Sequence, residues 1–211
     1  MSKTTLIFVR HGYSETNEKN IFAGIYDAKL TEVGKQQASL TAVYLENYTI
    51  DKIYTSDLSR ALHTAETIAA RHGLSVIKNE QLREINLGEW EGVPFDTVVS
   101  NYPKEVALWS TDSESAYAPG GESMAQLSGR ITTAVDAIVA ENHGKTVCIV
   151  THGEVLRTMF AKWTGERINN IPYVPNSSVT VVEYDDTGCR LVMDGYADHL
   201  GELATRLPIL L

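Results

Sequence analysis

The residues of this chain best suited to chemistry are arginines and histidines that follow short apolar segments. Arg10 and His11 follow the apolar residues 5–9, and Arg60 and His152 follow two further segments of this kind. A guanidinium group stays charged and presents forked hydrogen-bond donors, which suit a phosphate group. A neutral imidazole can attack a phosphate dianion without charge repulsion, and phosphoryl transfer depends mainly on in-line placement and charge stabilisation. These residue types therefore indicate phosphoryl chemistry if the fold brings them together.

Predicted strands and helices alternate along the chain. The predicted strands cover residues 5–9, 50–55, 75–78, 146–151, 178–184 and 190–193, and the predicted helices end at residues 46, 71, 142 and 163. Such alternation is typical of a mostly parallel sheet with helices on both faces, a three-layer α/β/α sandwich. Ligands of these sheets bind beyond the carboxyl ends of the strands, where we expect the arginines and histidines to meet.

Local signals define several helix ends and one helix face. We expect Thr31 to cap the helix that ends at Glu46, and Ser56 or Asp57 to cap the next helix. Gly73 should end that second helix in the left-handed conformation. Apolar residues at helical spacing predict the buried face of the first helix, namely Val33, Leu40, Val43 and Tyr44.

Residues 1–211 are predicted to form one domain, because the chain has the length of a single large domain. The segment 93–123 is less regular, and we interpret it as an insertion, or cap, over the carboxyl edge of the sheet. It holds one lysine and five acidic residues, so it is strongly negative. It also contains four aromatic residues that could belong to the core or to a substrate pocket: Phe95, Tyr102, Trp109 and Tyr117.

The composition argues against several classes of protein. Of the 211 residues, 43% are hydrophobic and 21% are charged, as in ordinary folded proteins. The formal net charge of −9 argues against general nucleic-acid binding, which depends on a basic face. Cys148 and Cys189 have no neighbour at zinc-ligand spacing, which argues against a zinc site and indicates a reducing compartment. No apolar run resembles a signal peptide or a membrane span, so we expect a cytoplasmic protein.

Four short motifs resemble a known family. In chain order they are residues 6–17 (LIFVRHGYSETN), 54–61 (YTSDLSRA), 82–92 (LREINLGEWEG) and 150–153 (VTHG). Together they resemble the histidine phosphatase superfamily, which contains the cofactor-dependent phosphoglycerate mutases. The resemblance implies a phosphoglycerate mutase-like α/β/α fold and an enzyme that acts on phosphomonoesters.

The resemblance also implies a role for each residue that matches a family motif. His11 matches the nucleophile that forms a phosphohistidine intermediate, and Glu84 matches the general acid that later acts as base. His152 matches a second catalytic histidine, which donates a hydrogen bond to the phosphoryl group. The phosphate-binding residues implied in the same way are Arg10, Asn17, Arg60 and Gly153.

Two of these assignments leave alternatives open, and two positions depart from the mutases. Asn17 could simply cap a helix, and Glu89 or Glu91 could replace Glu84 in a shifted register. Ala23 stands where mutases tend to carry a small hydroxyl residue. Glu154 follows the second histidine motif with a carboxylate that should repel an acidic substrate. The predicted substrate pocket comprises Ala23, Trp109, Tyr117 and Glu154.

The sequence therefore predicts a metal-independent phosphomonoester hydrolase that needs no cofactor and acts on a small molecule. No metal site is apparent. The arginines can supply the positive charge that a metal ion would bring, so none is needed. A cofactor-dependent phosphoglycerate mutase is the alternative within the family, and a phosphate-binding regulatory module is an alternative from another class. The physiological substrate and the choice between monomer and homodimer stay open at this stage.

Overall fold

Six strands form a single sheet in the computed structural model, which describes residues 3–205. The strands are β1 (Thr4–Arg10), β2 (Lys52–Thr55), β3 (Val76–Lys78), β4 (Thr146–Thr151), β5 (Val179–Asp185) and β6 (Gly188–Tyr196). Their order is β3-β2-β4-β1-β5-β6; the first four are parallel, and β5 and β6 are antiparallel to their neighbours. The predicted α/β fold is confirmed, and the predicted closing pair of strands forms the antiparallel edge.

Helices cover both faces of the sheet. They are α1 (Glu15–Glu18), α2 (Glu32–Leu45), α3 (Ser59–His72), α4 (Phe95–Asn101), α5 (Pro103–Thr111), α6 (Met124–Glu141) and α7 (Gly153–Thr164). Short 3-10 helices lie at Glu80–Leu82, Gly88–Trp90, Ile168–Asn170 and Asp198–Leu203. Side chains alternate along β1, so Leu6 and Phe8 join a core with α6 and α7, the α6–α7 core. Ile7 and Val9 join a second core with α2 and α3.

The parallel register brings the chemically important residues to one edge of the sheet. Arg10 of β1 pairs with Thr151 of β4, and Thr55 of β2 pairs with Val150 of β4. The three strands therefore end at the same level, and the residues that follow them are neighbours in space.

The buried face of α2 differs from the predicted one. Thr31 caps the helix as expected, since its Oγ1 accepts a hydrogen bond from the backbone N–H of Gly34 at 3.1 Å. Val33, Leu40 and Val43, however, are exposed. The buried residues of the helix are Gly34, Gln37, Ala38, Thr41, Ala42 and Leu45. Small side chains let α2 lie close to its neighbours, so the apolar spacing indicated the wrong face.

The start of α3 also differs from the prediction. Leu58 occupies the N-cap position and makes no side-chain cap. Oγ of Ser56 instead accepts a hydrogen bond from the N–H of Leu58 at 3.3 Å, and Asp57 forms an ion pair with Arg83. Neither predicted cap is therefore available to the helix. Gly73 ends α3 with a φ of +63°, as predicted.

The segment that follows Trp90 packs onto the α6–α7 core. Val98 of α4 and Val106 of α5 belong to this core, as does Trp90 itself. The rings of Tyr102 and Trp109 lie 6.1 and 5.7 Å from the ring of Trp90. None of the helices within residues 3–205 is long and apolar enough to cross a membrane.

The close approach of α2 to the loop after β1 generates a prediction about stability. A Cβ atom at Gly34 would lie 2.0 Å from the carbonyl oxygen of Tyr13, whereas one at Gly129 of α6 would have no neighbour within 4 Å. We expect Gly34→Ala to lower the free energy of unfolding by about 1–3 kcal/mol. We expect Gly129→Ala to raise it by up to about 1 kcal/mol, because alanine favours a helix. Urea denaturation measures both, and equal changes would contradict the close contact.

Candidate active site

His11 follows β1 and is buried. Its Nδ1 lies 2.7 Å from the carbonyl oxygen of Gly12. A carbonyl oxygen can only accept a hydrogen bond, so Nδ1 carries the proton and Nε2 carries the lone pair. Burial, together with the positive charges of Arg60 and Arg10, holds the pKa of His11 well below its usual range. The imidazole is therefore neutral at physiological pH, with Nε2 able to act as a nucleophile.

Arg10 and Arg60 place two buried positive charges beside this imidazole. Arg10 donates to the carbonyl of Val174 at 2.6 Å, and Arg60 donates to the carbonyls of Tyr26 and Gly24 at 2.9 and 2.7 Å. Within residues 3–205, no carboxylate oxygen lies within 4.0 Å of either guanidinium. Burial lowers the pKa of Arg60 to about 10, which leaves it charged at neutral pH. Buried charges without a carboxylate partner are unfavourable, and these two favour an anion in the pocket that they line.

Asn17 presents an amide donor to the same pocket. Its Oδ1 accepts hydrogen bonds from the N–H of Ser14 at 3.1 Å and from Nδ2 of Asn176 at 3.3 Å. These bonds orient the amide and leave its own Nδ2 for a ligand. Asn17 also forms the capping box of α1 with Ser14, so the two roles left open by the sequence are compatible.

His152 is completely buried and packs against His11, with ring centroids 5.1 Å apart. Neither of its ring nitrogens has a hydrogen-bond partner among the described residues. Burial and the charge of Arg60 hold the pKa of His152 well below its usual range, so the ring is neutral and has one N–H donor. Buried polar atoms are nearly always paired, and an unpaired donor beside two arginines suits an anion. His152 is thus in contact with His11, which lines the pocket.

Glu84 lines the pocket from residues 83–91, here called the acid loop. Both of its carboxylate oxygens lie 3.2 Å from the backbone nitrogen of Glu154 in the first turn of α7, and Oε1 accepts from the N–H of Ile85 at 3.0 Å. Burial, followed by the negative charge of Glu154, raises the pKa of Glu84. A raised pKa favours the protonated form of the carboxyl group, which is the form that can donate a proton to a leaving group.

Glu89 and Glu91, the two alternatives to Glu84, do not line the pocket. Glu89 is exposed. Oε1 of Glu91 accepts hydrogen bonds from the N–H groups of Leu87 and Ile25, at 2.9 Å each. It therefore joins the acid loop to residues 24–26, whose carbonyl groups bind Arg60. Glu84 is thus the one carboxylate of the three that the structure brings to the pocket. Among residues 3–205, no three His, Cys, Asp or Glu side chains are placed to hold a metal ion.

Glu154 lines the pocket as expected, but its charge is compensated. Both of its oxygens accept from Nη1 of Arg157, at 2.9 and 3.1 Å, and the hydroxyl of Tyr173 also donates to it. The two charged side chains are only 7% and 9% exposed. The pairing with Arg157 weakens the expected repulsion between Glu154 and an acidic substrate. The i,i+3 spacing of Glu154 and Arg157 is the sequence signal that indicates the pair.

Apolar side chains line another part of the pocket: Ile21, Phe22, Ile85, Leu87 and Trp109. Four polar side chains line it as well: Ser14, Thr16, Asn20 and Tyr173. Of the predicted substrate-pocket residues, Ala23 and Trp109 also line the pocket. Tyr117 is not among the lining residues. It is 61% exposed and lies between the buried Ala116 and Ala118.

Gly153 lies where a side chain would crowd Arg10 and Tyr173. A Cβ atom at this position would lie 3.3 Å from Nη2 of Arg10 and 3.3 Å from the ring of Tyr173. The absence of a side chain therefore permits the close approach of Arg10 to the start of α7.

Three residues that support the site carry no clear sequence signal. Asn176, Thr64 and Gln37 form hydrogen bonds to the backbone of residues 11–13, at 3.0, 3.1 and 2.8 Å respectively. Asn176 and Gln37 lie far from residues 11–13 in the chain, so residue spacing could not have identified them. The one usable signal is that Thr64 lies one helical turn after Arg60.

Comparison with known proteins places the same motifs in a family. A family model described as the histidine phosphatase superfamily (branch 1) matches residues 6–195. Phosphoserine phosphatase 1 of Hydrogenobacter thermophilus is 31% identical over 199 residues, which cover 93% of this chain and 94% of that protein. The 2,3-bisphosphoglycerate-dependent phosphoglycerate mutase of Cytophaga hutchinsonii is 34% identical over 158 residues, which cover 73% and 74%. The solved structure of Bacillus stearothermophilus YhfR has a TM-score of 0.88 and 35% identity, covering 93% of this chain and 99% of that one.

The two arginines generate a prediction about ligand-dependent stability. A ligand that binds only the folded state stabilises it by about 2.7 kcal/mol at one hundred times its Kd. We expect inorganic phosphate to raise the Tm of the wild type in a saturable manner and Arg60→Met to abolish this saturable shift. Arg71→Met, which removes an exposed arginine paired with Glu46, is the matched control and should keep it. Thermal unfolding at increasing phosphate measures the shift, and an undiminished shift in Arg60→Met would contradict the anion site.

Proposed function

This chain belongs to the histidine phosphatase superfamily and is a phosphomonoester hydrolase, for which we propose a two-step reaction through a phosphohistidine on His11. One observation carries this mechanism: a neutral imidazole with its lone pair on Nε2 lies beside two buried guanidinium groups, those of Arg10 and Arg60. The positive charges bind the phosphate, and the neutral nucleophile avoids repulsion by it. A phosphate-binding module without turnover would need neither this nucleophile nor an acid.

In the first step, the Nε2 lone pair of His11 attacks phosphorus, and the bond from phosphorus to the ester oxygen breaks. The carboxyl group of Glu84 gives its proton to that oxygen, so an alcohol leaves and Glu84 becomes a carboxylate. Preorganised donors stabilise the charge on the remaining phosphoryl oxygens. These donors are Arg10, Arg60, Asn17 and His152.

In the second step, a water molecule attacks the phosphorus of the phosphohistidine while Glu84 takes a proton from the water. The bond between phosphorus and Nε2 of His11 breaks, and its electron pair returns to the imidazole. Inorganic phosphate leaves, and Glu84 is again protonated for the next cycle.

We propose that the reaction needs no metal ion. Two guanidinium groups and several neutral donors supply the charge stabilisation that a metal ion gives in other phosphoryl-transfer enzymes.

The substrate that we propose is a small phosphomonoester whose remainder is neutral or partly apolar. Beyond the phosphate-binding residues the lining is largely apolar, with Phe22, Trp109 and Tyr173 as its aromatic members. Arg10 and Arg60 are the cationic residues of the lining among residues 3–205, and both are assigned to the phosphoryl group. A second phosphate or a carboxylate on the substrate would find no further cation there.

A phosphoglycerate mutase is the second candidate, because a mutase relative aligns with about three quarters of this chain. The bisphosphoglycerate in the name of that relative carries two phosphates and a carboxylate, which call for additional cations. The insertion at 93–123 holds one lysine against five acids and adds no cation to the pocket lining. The pairing of Glu154 with Arg157 removes one argument against a mutase but leaves this shortage of cations unchanged.

The mechanism leads us to expect an acid-labile phosphoryl group on His11. Brief reaction with a phosphomonoester, followed by an alkaline quench and peptide mass spectrometry, should locate it there. The same result is expected after prolonged chelation, because the arginines supply the charge. His11→Asn should lose both the label and turnover, whereas His63→Asn, at an exposed histidine of α3, is the control and should keep them. A label on another residue, or activity that depends on added metal, would contradict the mechanism.

The pocket lining generates a prediction about substrate preference. We expect kcat/KM for phenyl phosphate to exceed that for 2,3-bisphosphoglycerate by at least about tenfold, or about 1.4 kcal/mol. Trp109→Ala should reduce this preference, whereas Leu108→Ala, at an exposed neighbour in α5, is the control and should retain it. Phosphate release and phosphoglycerate interconversion are measured side by side with bisphosphoglycerate present. Interconversion faster than hydrolysis would identify a mutase instead.

A further inference from the structure

Arg130 of α6 uses all five of its N–H donors in one arrangement. Its Nη1 donates to the carbonyl oxygens of Gln81 and Arg83, and its Nη2 donates to that of Glu84, each at 2.8 Å. Its Nε and Nη2 donate to the carboxylate of Glu122 at 2.7 and 2.9 Å. A single guanidinium therefore holds the backbone that leads up to and includes the proposed general acid.

Glu122 extends this arrangement to the other side of Glu84. Its Oε2 also accepts a hydrogen bond from the N–H of Asn86 at 3.3 Å. Arg130 and Glu122, here called the Arg130 clamp, therefore contact the segment 81–86 on both sides of the acid. Arg130 is held in place by its helix, because α6 is 18 residues long and packs one face into the α6–α7 core.

The side chain of Glu84 has little support of its own. Its carboxylate accepts hydrogen bonds from the backbone N–H groups of Ile85 and Glu154, and no side chain among residues 3–205 donates to it. Its position therefore depends on the course of the backbone in the acid loop. Proton transfer requires heavy atoms about 2.6–3.2 Å apart, and a displacement of about 1 Å can reduce a rate about 100-fold.

We propose that Arg130 is a positioning residue for the reaction: held by Glu122, it fixes the backbone that aims the carboxyl group of Glu84 at the leaving oxygen. This proposal rests on the proposed role of Glu84 as general acid. Arg130 does not line the pocket, so it acts through Glu84 and not on the substrate. Lysine cannot replace it, because an ammonium group has three donors and lacks the planar fork of a guanidinium.

A positioning role and a purely structural role differ in their dependence on the leaving group. A nitrophenyl oxygen leaves as an anion without a proton, whereas an alkyl oxygen needs the proton of the general acid. The kcat/KM of each ester includes the step that forms the phosphohistidine, in which the leaving group departs. Loss of a correctly placed acid therefore affects alkyl esters selectively, whereas general loss of structure affects both esters alike.

The test compares kcat/KM for butyl phosphate and 4-nitrophenyl phosphate in Arg130→Lys. We expect a loss of about 10- to 100-fold for the alkyl ester and of less than about threefold for the nitrophenyl ester. Glu84→Gln should show the same selectivity to a greater degree. The double variant should lose no more than Glu84→Gln alone, because the acid is already absent. Arg71→Lys, at an exposed ion pair, is the matched control and should leave both values unchanged.

Equal losses for the two esters in Arg130→Lys, or no loss, would overturn the proposal. If Arg130→Lys does not fold, Glu122→Gln gives the same comparison, because it keeps the shape of the side chain while weakening the ion pair; an equal loss or no loss there is equally decisive. If Glu84→Gln itself fails to distinguish the esters, the acid role fails and this proposal fails with it. If Glu84→Gln distinguishes them but Arg130→Lys does not, the clamp alone is wrong and the proposed function stands.

Discussion

The burial of Arg10 and Arg60 without a carboxylate partner is the constraint on which the rest of the site depends. Removing an ion from water costs several kcal/mol, and the main-chain carbonyls of Val174, Gly24 and Tyr26 offset only part of this cost. A unit negative charge about 4 Å away gains roughly 4 kcal/mol at an effective dielectric constant near 20. A phosphate dianion between the two groups can therefore offset most of the remainder. The pocket therefore favours a bound anion, and the folded protein is less stable when no anion is bound.

The same two charges influence the protonation of the groups around them. They help to hold the pKa of both active-site histidines low, so the imidazoles add donors and a nucleophile without adding further positive charge. Glu84 keeps a raised pKa because its burial outweighs the attraction of Arg60. The charge of Glu154 is balanced by Arg157, which is separate from the two arginines proposed to bind phosphate. An acidic chain with a net charge of −9 thus contains a positive pocket.

The sequence is most informative where local chemistry and chain order act together. The predicted strand at 146–151 has the bounds of β4, because an unbroken apolar run between polar residues fits only one buried strand. The positions of Arg10 and His11 follow from the rule that ligands lie beyond the carboxyl ends of parallel strands. Helix faces are harder to predict, as α2 shows by burying Ala38 and Ala42. The contacts of Arg130 with the acid loop depend on how α6 lies against that loop, and residue spacing contains no trace of this geometry.

The proposed reacting groups and the groups proposed to face the rest of the substrate come from different parts of the fold. His11 and His152 follow parallel strands, and the hydrogen bonds of the sheet fix their separation. The apolar lining comes instead from the loop after α1, from the acid loop and from Trp109 of α5. The loop after α1 and Trp109 of α5 can change without moving a strand end. The substrate can therefore change while the reaction is kept. The acid loop belongs to both parts, because it carries Glu84 as well as Leu87, and a change in its course must therefore alter rate and specificity together.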